Sequence, residues 1–188
     1  MHIMMHWWEV MKMAYRITPN FFAPKEFDLD SNNTEYRKTH SISFNRCNFK
    51  CKFCEFHFRD QQYYREYDKE EFEDMVDMLI QRGKNFKFTG GESTLNPNLL
   101  RDLEIVRKFG GKIYLDTNGS NPSVVKKALE KKLVDVVGIS MKGVSPIEAL
   151  EKSGVQKSIL CWDNVLETIK ICSEDSNVKV IVTYVCYN

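Results

Sequence analysis

The fold follows from the stretch FKFTGGE at residues 86–92, in which a short apolar strand runs directly into a Gly-Gly-Glu turn. Four more stretches have strand character, at residues 41–45, 112–116, 134–140 and 178–185. Helical patterns separate these five strands, and that alternation is typical of a parallel sheet with crossover helices. The sequence therefore predicts an α/β fold with five strands, and no sixth candidate follows Val185.

Capping signals mark where the intervening helices begin. Asp68 followed three residues later by Glu71 is a capping-box pattern, and that helix is expected to end near Gly83. An N-cap residue followed by proline predicts three further starts, at Asn96-Pro97, Asn121-Pro122 and Ser145-Pro146. A last helix is predicted from Asp163 to about Cys172. Residues 1 to about 40 carry prolines and a polar run, so we predict an irregular extension or cap at 1–40 and the main domain at 41–188.

Composition limits the class of protein. The chain has 188 residues, which suits one domain with a sizeable core. Hydrophobic residues make up 43% and charged residues 28%, as in an ordinary globular protein. The formal net charge of +1 supports neither a nucleic-acid partner nor an anionic membrane surface. No secretory signal or membrane-length apolar run is evident, so we expect a reducing, cytoplasmic location.

Polar motifs follow four of the predicted strands. They are the cysteine loop at residues 47–54, the Gly-Gly-Glu turn at 90–92, the Asp-Thr-Asn-Gly turn at 116–119 and the Ser-Met-Lys stretch at 140–142. Loops after the carboxyl ends of parallel strands gather on one face and build the site. The sequence therefore predicts that these four stretches converge.

The cysteine loop has the pattern C-x3-C-x2-C at Cys47, Cys51 and Cys54. Three thiolates can hold three irons of a four-iron cluster and leave the fourth open to a second ligand. The alternative is a structural zinc site, in which His57 completes a Cys3His set. Phe53, between the second and third cysteine, would shield the metal group. The remaining cysteines lack ligand-like spacing and are expected to be ordinary core or surface thiols, at Cys161, Cys172 and Cys186.

The turn at Gly90, Gly91 and Glu92 suits close approach of a ligand. Glycines permit positive φ angles and let the backbone lie against a bound group. A carboxylate at the end of such a turn can accept hydrogen bonds from an ammonium group. For an isolated turn of this kind, an ordinary strand-to-helix connection is the preferred interpretation.

The cysteine spacing and the Gly-Gly-Glu turn together resemble the radical SAM superfamily. Residues 114–122 and 133–142 resemble, more narrowly, the glycyl-radical-enzyme activases, namely the anaerobic ribonucleotide reductase and pyruvate formate-lyase activating types. The resemblance implies a partial (β/α)6 barrel, here without an identified last strand. Ser140 departs from the family, in which an acidic residue is usual at that position.

The resemblance also implies the cofactors and the residues that bind them. A [4Fe-4S] cluster is held by Cys47, Cys51 and Cys54, and S-adenosylmethionine (SAM) chelates the open iron. Glu92 binds the amino group of SAM. The other expected cofactor-binding residues surround the same cofactor, and they are Phe53, Gly90, Gly91, Asp116, Thr117, Asn118, Ser140 and Lys142.

The implied activity is that of an oxidoreductase. One electron from the reduced cluster cleaves SAM to methionine and a 5′-deoxyadenosyl radical, which abstracts hydrogen from a substrate. A one-electron donor such as a flavodoxin or ferredoxin is expected. For an activase the substrate is a glycine of a partner glycyl-radical enzyme. The alternatives are a radical SAM enzyme with another peptide or small-molecule substrate, and a non-catalytic zinc-binding module.

Overall fold

The structure is a computed structural model that describes residues 14–21, 39–54, 64–155 and 162–184. It has six strands in one sheet, which are β1 (Tyr15–Phe21), β2 (Thr39–Phe44), β3 (Asn85–Gly90), β4 (Lys112–Thr117), β5 (Val136–Met141) and β6 (Lys179–Tyr184). Five α-helices join them, which are α1 (Lys69–Ile80), α2 (Leu99–Lys108), α3 (Pro122–Glu130), α4 (Pro146–Ser153) and α5 (Trp162–Ser173). A short 3-10 turn, Ser93–Leu95, precedes α2.

The sheet has the strand order β1-β2-β3-β4-β5-β6. Strands β2 to β6 pair in parallel, and they confirm the five strands predicted from the sequence. Because consecutive parallel strands are neighbours, all their carboxyl ends lie along one edge of the sheet. The α/β prediction of a partial barrel is therefore confirmed.

The first strand corrects the prediction that residues 1 to about 40 are irregular. Tyr15–Phe21 runs antiparallel to β2, with Tyr15 paired to Phe44 and a register shift between Thr18 and Phe21. Proline at position 19 cannot donate to a ladder, and edge strands and bulges are where sheets tolerate it. The division into a segment at 1–40 and a domain at 41–188 stays a prediction. The predictions for His57, Cys161 and Cys186 fall outside the described residues.

The helix starts agree with local capping signals, with one exception. Asp68 and Glu71 form the predicted reciprocal capping box, and Ser145 accepts from the Glu148 amide at the start of α4. The prediction that α2 begins at Asn96-Pro97 is wrong, because α2 begins at Leu99. Instead, the Asn96 side chain is buried and donates to the Tyr15 hydroxyl and to the Asp102 carboxylate, each at 3.2 Å.

The two faces of the sheet differ in chemistry. Alternate residues such as Phe86, Phe88, Ile113 and Leu115 are fully buried in the core, where the helices cover one face. The intervening residues point to the opposite face. On that face Lys87 and Asp116 form an ion pair of 2.8 Å, and Thr89 donates to Asp116 at 2.9 Å.

Within the described ranges, no helix has the length and apolar character needed to cross a membrane.

Candidate cluster and SAM site

A cavity of about 120 Å³ lies at the carboxyl ends of β2 to β5. All twelve site residues predicted from the sequence line it, and they are Cys47, Cys51, Phe53, Cys54, Gly90, Gly91, Glu92, Asp116, Thr117, Asn118, Ser140 and Lys142. Phe49 and Thr89 also line the cavity and were absent from the predicted set. The four motifs therefore converge as expected for loops that follow parallel strands.

The cysteine loop is held by backbone bonds and by helix α4. The Cys54 amide donates to the Cys51 carbonyl at 3.0 Å, and the Lys50 amide donates to the Ser153 carbonyl at 2.8 Å. Phe49 and Cys51 are buried and form a small apolar cluster with Ala149 of α4. This packing holds the loop whose three thiols line the cavity.

Burial alters the acidity of two of these thiols. Burial raises the pKa of Cys47 to about 11, against an ordinary value of 9.0. Burial also raises the pKa of Cys51, while the nearby Lys142 ammonium opposes that rise. A thiol must lose its proton to bind metal, so metal loading here releases protons.

The Gly-Gly-Glu turn lies directly against the chain that leads into the cysteines. The Gly91 amide donates to the Phe44 carbonyl at 2.9 Å, and the Glu92 amide donates to the Arg46 carbonyl at 2.6 Å. A Cβ on Gly90, which has a φ of 108°, would lie 2.4 Å from the Phe44 nitrogen. A Cβ on Gly91 would lie 1.9 Å from the Arg46 carbonyl oxygen. Glycine is therefore required at both positions for this contact.

Glu92 is buried, with 1% of its surface exposed, and its carboxylate accepts four hydrogen bonds. Its Oε1 accepts from the Thr94 amide, the Thr94 hydroxyl and the Thr117 hydroxyl, at 3.1, 2.6 and 2.7 Å. Its Oε2 accepts from the Asn118 amide at 2.6 Å. Burial raises the pKa of Glu92, and these donors oppose the rise. Oε1 accepts three of these bonds and Oε2 accepts one, so Oε2 is the less occupied of the two oxygens.

Asn118 connects the turn after β4 to the cysteine loop. Its Nδ2 donates to the Asn48 Oδ1 at 2.8 Å and lies 4.0 Å from the Cys47 sulfur. The Asn48 Nδ2 donates to the Ser120 hydroxyl at 2.9 Å. Asn48 was not predicted as a site residue, although its place directly after the first cysteine was visible in the sequence.

Two polar residues, one near the end of β5 and one directly after it, complete the cavity wall. The Ser140 hydroxyl lies 3.3 Å from that of Thr183 on β6. The Lys142 ammonium lies 5.9 Å from the centre of the Phe53 ring, within reach of a cation–π contact. Lys142 thereby brings a positive charge close to both Phe53 and Cys51.

The three cysteines are compatible with an iron–sulfur cluster. Among the described residues, no group of three or more His, Cys, Asp or Glu side chains is close enough to hold one metal ion. A four-iron cluster binds each thiolate at a different iron, so its cysteines need not meet at one point. Three thiols that line one cavity suit that arrangement, and His57, the fourth ligand of the zinc alternative, lies outside the described residues.

The family profile of the Radical SAM superfamily matches residues 41–188, and the chain belongs to this superfamily. Members of the family use a [4Fe-4S] cluster and SAM, the two cofactors expected from the sequence. The match begins at residue 41, after the end of β1. Strand β1 therefore lies outside the part of the chain that matches the family profile.

The curated proteins that are similar to this chain are named for several different activities. A "probable GTP 3′,8-cyclase" of Thermoplasma volcanium is 31% identical over 142 residues, covering 74% of this chain and 42% of that protein. A candidate glycyl-radical enzyme activating enzyme of Methanocaldococcus jannaschii is 28% identical over 117 residues, covering 61% and 48%. The chain spans 32% to 48% of the length of the curated relatives that it matches.

A solved structure shares both the fold and part of the sequence. The native anSMEcpe with bound AdoMet and a Cp18Cys peptide superposes with a TM-score of 0.52 and is 25% identical. The aligned part covers 73% of this chain and 39% of that one. The similarity therefore leaves more than half of the larger protein without a counterpart here.

Proposed function

We propose that this chain holds a [4Fe-4S] cluster through Cys47, Cys51 and Cys54, binds SAM beside it, and uses the pair to abstract hydrogen from a substrate. One observation carries the proposal: a single cavity at the strand carboxyl ends is lined by these three thiols and by the Gly-Gly-Glu turn. The family membership supports the same chemistry. When bound, the cluster and SAM supply a 5′-deoxyadenosyl radical by reductive cleavage of the sulfonium.

The described side chains suit the amino-acid part of SAM. Glu92 Oε2 accepts only one of the four bonds and is the oxygen proposed to receive an ammonium hydrogen, and the glycines before it let a ligand approach the backbone. Lys142 provides a positive charge for a carboxylate. Asp116 is oriented by Lys87 and Thr89, so its carboxylate has a defined direction at the cavity wall.

Phe53 and Ser140 are proposed to affect the surroundings of the cofactors, through shielding from water and through the charge of the cavity wall. Phe53 would cover the cluster or the nucleoside and keep water away from the radical, which a stray encounter would quench. Ser140 supplies a neutral hydroxyl where the family usually has an acid, so this wall of the cavity carries less negative charge. The contact between Ser140 and Thr183 occupies part of its hydrogen-bonding capacity.

For the substrate, we propose a glycine on a partner glycyl-radical enzyme. The Asp-Thr-Asn-Gly turn, the lysine at position 142 and the similarity to a candidate activating enzyme support this choice. The reaction takes one hydrogen atom from the glycine α carbon, and an external one-electron donor such as a flavodoxin or ferredoxin supplies the electron. A second candidate is a different peptide or small molecule, which the cyclase relatives and the peptide-bound neighbour favour.

Anaerobic reconstitution tests the cofactor part of the proposal. The reconstituted protein should take up iron and sulfide and release 5′-deoxyadenosine from SAM when dithionite is the reductant. Cys51→Ala should abolish both the cluster absorption and the release. Cys172→Ala is the matched control, since Cys172 is buried in the core and should leave both unchanged. A colourless protein with stoichiometric zinc, or SAM cleavage retained by Cys51→Ala, would overturn the assignment.

Co-expression tests the substrate. A candidate glycyl-radical enzyme produced together with this protein should show a glycine-centred doublet by electron paramagnetic resonance. Release of 5′-deoxyadenosine without a doublet in any partner would reject the activase proposal and favour the second candidate.

A further inference from the structure

The side chain of Asn118 is held in one orientation by its surroundings. Its backbone amide donates to Glu92 Oε2 at 2.6 Å, and its Oδ1 accepts from the Ser120 amide at 2.9 Å. Because Oδ1 is engaged with a donor, the other end of the amide must be the NH2 group. That group faces the cysteine loop.

The two hydrogens of this NH2 group have different neighbours. One is directed at the Asn48 Oδ1, with a nitrogen–oxygen distance of 2.8 Å. The nitrogen also lies 4.0 Å from the Cys47 sulfur, at the long end of the range for a hydrogen bond to sulfur. The Phe49 amide donates to the same sulfur at 3.3 Å. The Cys47 sulfur therefore receives two N–H groups from different parts of the fold.

Asn48 decides how the Asn118 amide is turned. It accepts from Asn118 Nδ2 and donates to the Ser120 hydroxyl at 2.9 Å, so it contacts the β4 turn at two places. If the Asn48 Oδ1 is removed, Asn118 Nδ2 loses its short bond, and of the two bonds that orient the side-chain amide only the one from the Ser120 amide remains. The contact with the Cys47 sulfur depends on that plane.

We infer that Asn48 is a positioning residue that directs the Asn118 amide at the Cys47 sulfur and thereby raises the reduction potential of the cluster. The inference rests on the proposed role of Cys47 as a cluster ligand. Reduction adds negative charge to the cluster and its sulfurs, and an N–H donor stabilises the reduced form more than the oxidised one. Loss of the donor makes reduction harder.

The test is a redox titration of the reconstituted protein without SAM, followed by optical absorption or electron paramagnetic resonance. Asn48→Ala should shift the midpoint to a more negative potential. Loss of one weak donor corresponds to about a fivefold change in the reduction equilibrium constant. That change is about 40 mV, since a tenfold change is about 59 mV for one electron.

Asn164→Ala is the matched control. The Asn164 amide, on α5, donates to the Ser120 carbonyl at 3.0 Å, so it contacts the same turn without touching Asn118 or Asn48 through that bond. The Asn164→Ala variant should leave the midpoint reduction potential of the cluster unchanged, even if the stability of the protein falls. Asn48→Ser serves as a second variant, because it keeps a polar residue in the loop and still lacks the reach to Asn118.

The outcomes separate the inference from the function on which it rests. A more negative midpoint in the Asn48 variants, with Asn164→Ala like the wild type, supports the inference. A cluster that assembles in the Asn48 variants with an unchanged midpoint overturns it and leaves the proposed function standing. A wild-type protein that assembles no cluster overturns both.

Discussion

Replacing Gly91 by alanine should separate the Gly-Gly-Glu turn from the cysteine loop. The new Cβ would lie 1.9 Å from the Arg46 carbonyl oxygen and 2.3 Å from the carbonyl carbon. Real Cβ contacts are almost never shorter than 3.0 Å, so the two segments must separate by at least about 1.1 Å, from 1.9 to 3.0 Å. Both neighbours are backbone, which leaves no flexible side chain to turn aside.

The magnitude follows from the bonds that cross this contact. A separation of about 1.1 Å would lengthen the 2.6 Å bond from the Glu92 amide to Arg46 beyond hydrogen-bonding distance. The parallel bond from the Gly91 amide to Phe44 would weaken with it. Each bond contributes about 0.5–1.5 kcal/mol, and overpacking costs about 1–3 kcal/mol. The free energy of unfolding should fall on the order of 2–4 kcal/mol.

The same displacement should impair cluster assembly. Arg46 directly precedes Cys47, and ligand distances to a metal tolerate changes of only about 0.2 Å. We expect Gly91→Ala to fold but to retain less iron after anaerobic reconstitution. The assays are urea unfolding of the metal-free protein and iron content per chain after desalting.

Gly110→Ala is the control for this prediction. Gly110 has a φ of 78°, and no atom lies within 4 Å of the place that a Cβ would take, so the change costs only backbone strain of about 1–2 kcal/mol. Gly110 lies just after the end of α2. The Gly110→Ala variant should therefore retain the full iron content. Wild-type stability and iron content in Gly91→Ala would refute the steric reasoning.

Two further predictions concern stability away from the cavity. Tyr15→Phe should lower the free energy of unfolding by about 1.5–3 kcal/mol, because the hydroxyl donates at 2.7 Å to the fully buried Asp102 carboxylate. Urea titration measures the loss, and a change below about 0.5 kcal/mol would contradict it. Cys172→Ala should flatten the alkaline pH dependence of stability, because burial raises the pKa of this thiol from 9.0 to about 12. The folded protein keeps a proton that the unfolded chain releases, so this contribution is complete below pH 9 and falls by about 1.4 kcal/mol per pH unit from there towards pH 12. Equal slopes for variant and wild type between pH 9 and 11 would refute this assignment.

The elements that were predicted correctly are those with local causes. The capping box at Asp68 and Glu71 needs only residues three apart, and the serine cap of α4 needs only Glu148. The five parallel strands stand out because each is a short apolar run between helical patterns. Such signals are contained in a window of a few residues, so they can be read before the chain is folded.

The elements that were missed have distant causes. β1 is a strand because Tyr15 to Thr18 pairs with the edge of β2, and nothing within the segment itself requires that pairing. α2 begins later than expected because Asn96 is drawn to Tyr15, 81 residues away in the chain. In both cases a tertiary contact outweighs a local propensity.

The candidate site shows the same division. The alternation of strands and helices already implied that four polar motifs share one edge, since parallel strands end on the same side, and the twelve predicted residues do line one cavity. The roles within that cavity depend on three-dimensional placement. The bond from Thr117 to Glu92 and the bond between Asn48 and Asn118 join loops that lie 25 and 70 residues apart in the chain.

The linear order of residues was enough to predict the class of fold and the side chains gathered at the cavity, because these depend on periodicity and on motif spacing, and its motifs carried the resemblance to the family. Only the folded chain decided that the strand at residues 15–21 joins the sheet, that Glu92 organises its neighbours, and that Asn48 faces Asn118. Directional bonds of 2.6 to 2.8 Å form only when distant segments are placed to within a fraction of an ångström. Core packing of the sheet against its helices provides that placement.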